Sequence, residues 1–167
     1  MTIFYDEVMI VGGSLSSKTC KINSVEVTQY GAGMVAISGS ISFPDGRSDY
    51  LAAMNNAWSG NFGRYTVSTQ MLQGTGGLTA YINKAPGESP TADIGGPNLN
   101  LNSAVGATPT QMAYARWAAG HELGHSFKLR DQYTEAGPNS GYENEIMGVD
   151  GGKPNETTID SLLYNCK

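Results

Sequence analysis

The chain has 167 residues and 17.7 kDa, with 10 basic and 15 acidic side chains and a net charge of −5. That is one domain's worth of sequence, 1–167, long enough to bury a core unaided. The absence of any basic run excludes nucleic acid or an anionic membrane as the main partner, and no apolar stretch approaches the ~20 residues that span a bilayer. The first residues, MTIFYDEVMIVGG, carry Asp6 and Glu7 and no positive segment, so they do not read as a secretory signal.

Residues 3–11 and 22–29 are rich in β-branched and aromatic side chains and read as strands, as does 34–43. After the Pro44-Asp45-Gly46 turn, Ser48 or Asp49 caps a helix over 49–59, with Tyr50, Leu51, Met54, Ala57 and Trp58 at helical spacing. Two further strands, 65–72 and 78–83, flank the Gly74–Gly77 turn. Residues 84–106 are rich in Pro, Gly and Asn, with one short strand at Leu99–Leu101. Thr108-Pro109-Thr110-Gln111 has the residues of a capping box with proline in the first turn, and opens a helix over 108–127. Tyr114 and Trp117 fall at helical spacing on it and read as core. Residues 128–156 read as loop, and 157–164 as a short final helix. The domain thus divides into a sheet-containing part, 1–107, the long helix, 108–127, and a loop-rich end, 128–167.

The two histidines, His121 and His125, are four apart on the long helix, with Glu122 beside the first. Residues i and i+4 share one face of a helix, so both imidazoles reach one ion, and neutral imidazole suits zinc. Glu122 lies about 100° round the helix, out of easy ligand reach but placed to take a proton from a metal-activated water. A catalytic zinc needs a third protein ligand. Asp131 follows six residues after His125, just past the helix end, and Glu143 and Glu145 are its competitors. Tyr133, two residues further on, either donates to a tetrahedral intermediate, orders the ligand loop, or simply packs. Cys20 and Cys166 are either two reduced thiols or a bridge tying the tail to an early strand.

The segment HELGHSFKLRD, 121–131, resembles the metzincin signature of zinc metallopeptidases in its Asp-ligand form, and HELGHSFKLRDQY is most similar to the snapalysin-like peptidases. The following GYENEIMG resembles their Met-turn, which implies Met147 as the methionine beneath the metal. The same segments, with TTIDSLL after them, look like metallopeptidase toxin domains of Rhs-type polymorphic toxins. The resemblance covers about 108–163. It implies an α+β, zincin-like fold: a twisted mixed sheet packed on two main helices, with a loop-rich C-terminal subdomain and a short final helix. The substrate cleft would run beneath an edge strand, 78–83 being the candidate. It further implies one catalytic zinc ion held by His121, His125 and Asp131, with Glu122 as general base of an endopeptidase acting on a protein or peptide substrate. The toxin likeness implies secretion or delivery into a target cell and a cognate immunity protein. Two positions depart from the pattern. Lys128 stands where the family has a glycine in the left-handed conformation, and Val149 stands where some groups carry a tyrosine. A zincin-like module that holds zinc without cleaving anything is the rival reading, against which Glu122 argues.

Overall fold

The computed structural model describes residues 16–46 and 49–166. The strand expected over 3–11 and the capping position at Ser48 lie outside the described residues.

The described chain opens on a hairpin, β1 Ser17–Ile22 and β2 Val25–Tyr30, where one strand over 22–29 was expected. Asn23 takes φ 56°, and with Ser24 forms a two-residue turn that pairs Ile22 with Val25. Asparagine tolerates that conformation. Most of β1 is polar and exposed, so it lacks the alternation that marks a half-buried strand. Then come β3 Met34–Ser42, α1 Asp49–Ala57, a short β4 Gly60–Phe62, β5 Tyr65–Gln73, β6 Leu78–Lys84, β7 Thr91–Ala92 and β8 Asn98–Asn102. β5 alternates buried and exposed over most of its length, as a strand with one face on a core must.

The sheet is mixed. β3 pairs antiparallel with β2 and parallel with β5, and its last residues, Ile41 and Ser42, pair parallel with β6. β8 runs parallel to β6, and β7 closes that side antiparallel to β8. β6 is therefore interior, between β3 and β8, and the expected edge strand at 78–83 is corrected: the edge is β7. Two residues sufficed to form it, too few to leave a periodic signal.

α2, Pro109–Ser126, begins as its sequence requires. Thr108 Oγ1 accepts from Gln111 N at 3.2 Å, and Gln111 Oε1 accepts from Thr108 N at 2.8 Å. From Ala118 to Phe127 every residue is buried, which α2's small side chains permit. A Cβ on Gly120 would sit 2.6 Å from the Ala57 methyl of α1. In α1's partner contacts, Trp58 Nε1 donates to Gly120 O at 2.8 Å, and the Trp58 ring meets Phe127 edge-on at 5.0 Å. Tyr50 OH donates to Asn102 O at 2.6 Å, tying α1 to β8. The C-terminal part holds a two-residue ladder, β9 Tyr133–Thr134 with β10 Gly137–Pro138, and α3 Glu156–Asn165. α3 starts on its own capping box, Asn155 with Thr158. The result is an α+β fold with three helices and a mixed sheet among the described residues. No helix among them is long and apolar enough to cross a membrane.

Candidate metal centre

The site is built on the C-terminal end of α2, so the way that end terminates decides its geometry. The last carbonyls of a helix have no partner within it. Here Leu129 N donates to Gly124 O at 3.2 Å and Lys128 N to His125 O at 2.9 Å, the paired bonds of a Schellman cap. Lys128 takes φ 65°, so the left-handed turn expected of a glycine is made by a lysine. Distant segments add a second bond to His125 O and satisfy the carbonyls of Ser126 and Phe127. Gly95 N bonds His125 O at 2.7 Å, Asn23 Nδ2 bonds Ser126 O at 2.9 Å, and Asn165 Nδ2 bonds Phe127 O at 3.1 Å. The hairpin, the β7–β8 loop and α3 thus all clamp the turn that throws the chain back towards the histidines.

That reversal brings Asp131 beneath both imidazoles. Its Oδ1 lies 3.1 Å from His121 Nε2 and 3.4 Å from His125 Nε2. Ligand bonds of 2.0–2.1 Å around a tetrahedral ion put neighbouring donors about 3.3 Å apart, and both Asp131–imidazole separations are close to that value. The other ring nitrogens are occupied: His121 Nδ1 bonds Ile146 O at 2.7 Å and His125 Nδ1 bonds Leu129 O at 2.8 Å. With Nδ1 donating to a carbonyl, Nε2 is left to turn its lone pair to a shared point once metal-bound. Burial raises the Asp131 carboxyl, but hydrogen bonds from both imidazoles outweigh it and hold the group far below the usual carboxylate range, ionised at neutral pH. Burial lowers the His125 imidazole, and the Asp131 hydrogen bond and Leu129 carbonyl more than reverse this, leaving it above its ordinary value.

Glu122 lies close to this triangle of donors: one of its carboxylate oxygens and one nitrogen of each imidazole are within 4.8 Å of one another. It is buried, and its Oε2 lies 4.0 Å from His125 Nε2 with no hydrogen-bond partner in the described structure. A buried carboxylate oxygen without a partner costs free energy. That cost is removed by a polar group seated between it and the imidazoles, such as a water on the ion. The donor chemistry of two imidazoles and a carboxylate therefore suits a zinc ion. Burial pushes the Glu122 carboxyl up, and the two imidazoles pull it partly back.

The turn over 145–148 supports the triangle from below. Ile146 O fixes His121, and Met147 O accepts from Gln132 N at 2.7 Å, holding the Asp131 loop. Met147 is buried, and its Sδ would lie 2.6 Å from a Cβ on Gly124. Only glycine at that position lets the sulfur reach the helix backbone. Among the described residues, neither Glu145 nor Glu143 has a carboxylate oxygen within 4 Å of an imidazole nitrogen, as Asp131 and Glu122 do. Glu145 is fully buried, with Oε2 on Met147 N at 2.6 Å and Oε1 on Thr158 Oγ1 at 2.5 Å, and burial raises its carboxyl. Glu143 is exposed and accepts from Gly141 N at 2.9 Å. Sequence reasoning missed Glu145 as the anchor of Met147, because a glutamate in a turn-rich stretch gives no sign of burial.

Tyr133 is half exposed, its ring 6.5 Å from that of His121. Its phenol is raised by burial and by the charge and hydrogen bond of Asp131. A cleft of about 370 Å³ opens over His121 and Glu122, walled by Tyr114, Trp117, Tyr133 and Val149. Tyr114 and Trp117 are thus corrected from core to cleft wall, each half-buried. Lying seven and four residues before His121, they share the ligand face of α2, a signal the spacing already contained. A larger hollow, about 510 Å³ between the 128–132 turn and α3, borders none of the three candidate ligands. Cys20 and Cys166 are joined as a disulfide, so the open question of their state closes on the bridge, which ties α3's end to β1.

The chain matches no protein-family model, no curated protein and no solved structure.

Proposed function

We propose that this chain is a zinc-dependent endopeptidase of the metzincin type, with a zincin-like arrangement of sheet and active-site helix. The observation that carries the reading is the buried, unpartnered Oε2 of Glu122 beside two imidazoles that share the Asp131 carboxylate. A purely structural ion would fill its fourth corner from the protein and need no base beside it. When bound by His121, His125 and Asp131, zinc supplies a Lewis acid for the scissile carbonyl and a lowered pKa for water. Glu122 takes the proton of the attacking water on Oε2 and passes it to the leaving amine. Its carboxyl, raised by burial, is better suited to that return than an exposed glutamate. Tyr133, which interacts with Asp131 and lines the cleft, either braces that carboxylate or donates to a developing oxyanion.

The biological setting we propose is secretion or delivery into a target cell, as an effector or toxin with a cognate immunity protein. The Cys20–Cys166 bridge supports an oxidising destination. The test is metal analysis together with hydrolysis of casein and a peptide library. One zinc per chain and hydrolysis abolished in Glu122→Gln support the reading. Zinc bound without hydrolysis by the wild-type protein overturns it in favour of a binding module.

A further inference from the structure

Resting on the peptidase reading, we propose that the cleft contains a subsite selective for a lysine or arginine side chain beside the scissile bond, formed by Asp150 with the aromatic wall of Tyr114 and Trp117. These rings form a continuous strip leading away from the metal ligands. Trp117 lies 5.3 Å from the His121 ring and Tyr114 lies 5.8 Å from Trp117. The chain after Met147 forms another wall, and Trp117 Nε1 pins it by donating to Gly152 O at 3.1 Å. Asp150 lies on that wall and lines the same cleft. Its charge reaches the Tyr114 phenol, which burial and then Asp150 raise.

The charges lining this cleft have one sign. Glu122 and Asp150 border it, and no lysine or arginine does so among the described residues. Glu122 is committed to the water beside the metal. Asp150 makes no ion pair among the described residues, so its charge remains for a ligand. Aromatic faces attract cations and cover the apolar stems of lysine and arginine, and a carboxylate at the end of such a wall meets the charged head. A walled cleft lined by one sign of charge concentrates the opposite sign. At about 370 Å³ the cleft lies within the size range of sites that enclose sizeable ligands. Acidic side chains meet two carboxylates there and are disfavoured.

The zinc-loaded protein is given a peptide library, and cleaved bonds are mapped by mass spectrometry. Lysine and arginine should be enriched at one position flanking the bond. For matched peptides, kcat/KM for arginine over leucine should be on the order of tenfold, the scale of a solvent-screened charge contact plus a cation–π contact. Asp150→Asn should bring that ratio close to one, and Asp150→Lys should favour aspartate or glutamate. In parallel, the Glu122→Gln protein should bind a fluorescent arginine peptide more tightly than its leucine counterpart, and Glu122→Gln with Asp150→Asn should lose that difference. Hydrolysis with no basic preference, or a preference unchanged in Asp150→Asn, overturns the subsite and leaves the peptidase reading standing. No hydrolysis of any peptide, with equal binding of both, overturns both.

Discussion

At the scale of single residues, Glu122 carries the proposed chemistry. Glu122→Gln should retain zinc and the fold while hydrolysis falls by about 10²–10⁴-fold or more, the range for a positioned base. Near-wild-type turnover would remove Glu122 from that role. Asp131 is the test of the ligand set. Asp131→Ala should strip zinc, because two neutral imidazoles remain, and Asp131→His should restore part of it. Glu143→Ala should keep its metal, since Glu143 bonds only Gly141 N beyond its own residue. The pH dependence follows from His125, whose imidazole lies above its ordinary value of 6.5. A proton there competes with the ion for Nε2, so zinc affinity should fall as pH drops from above 6.5 and keep falling below it. Competition titrations with a chelator across that range should show the slope. An affinity flat in pH would mean His125 is not a ligand. Tyr133→Phe distinguishes its two roles: weaker metal binding marks a brace for Asp131, lower kcat with metal retained marks an oxyanion donor.

At the scale of elements, the C-terminal half of α2 works because two of its residues have no side chain. A Cβ at Gly124 would meet Met147 Sδ at 2.6 Å and Trp58 Cζ2 at 3.0 Å. Gly124→Ala gains about 1 kcal/mol in helix propensity but overpacks the site, for about 1–3 kcal/mol. The expected outcome is a net loss of up to about 2 kcal/mol in denaturant unfolding together with weaker zinc binding, since the turn that holds His121 must shift. The cap offers the opposite case. Lys128 at φ 65° bears a left-handed strain of about 1 kcal/mol that glycine would not. Lys128→Gly should stabilise the protein by a few tenths to about 1 kcal/mol, the gain being reduced by glycine's greater freedom in the unfolded chain. A β-branched residue at the same position should destabilise it. Unfolding curves of the Gly and Val variants, compared with wild type, read this directly.

At the scale of the whole molecule, the bridge between Cys20 and Cys166 closes a loop spanning 146 positions. In the chain-entropy account that is worth roughly 5 kcal/mol, and native disulfides in practice contribute about 2–5. α3 supplies Asn165 to the turn after α2 and Thr158 to Glu145. Loosening its end should therefore be felt at the metal. Reduction, or Cys20→Ser, should lower stability by about 2–5 kcal/mol and raise the zinc dissociation constant. If zinc affinity is unchanged when the bridge is opened, α3 is held by its other contacts, among them Arg64 with Glu156 and Asp160.

What the sequence alone determined is what depends on local order: the capping box that starts α2, the i, i+4 histidines on one helix face, and the main strands with sustained apolar patterning. The left-handed position at residue 128 was implied only by the family resemblance, and a lysine there was a departure from it until the structure showed φ 65°. The short edge β7, the polar strand β1 and the interior place of β6 were decided by pairing partners far along the chain, which no local pattern encodes. The same holds for the burial of Glu145, the cleft-facing position of Tyr114 and Trp117, and the placing of Asp131 against both imidazoles. Each depends on which distant backbone satisfies which group. The clearest case is the end of α2. Its chain reversal is fixed by Asn23, Gly95 and Asn165, residues whose importance exists only once the folded chain brings three separate segments to the carbonyls of His125, Ser126 and Phe127.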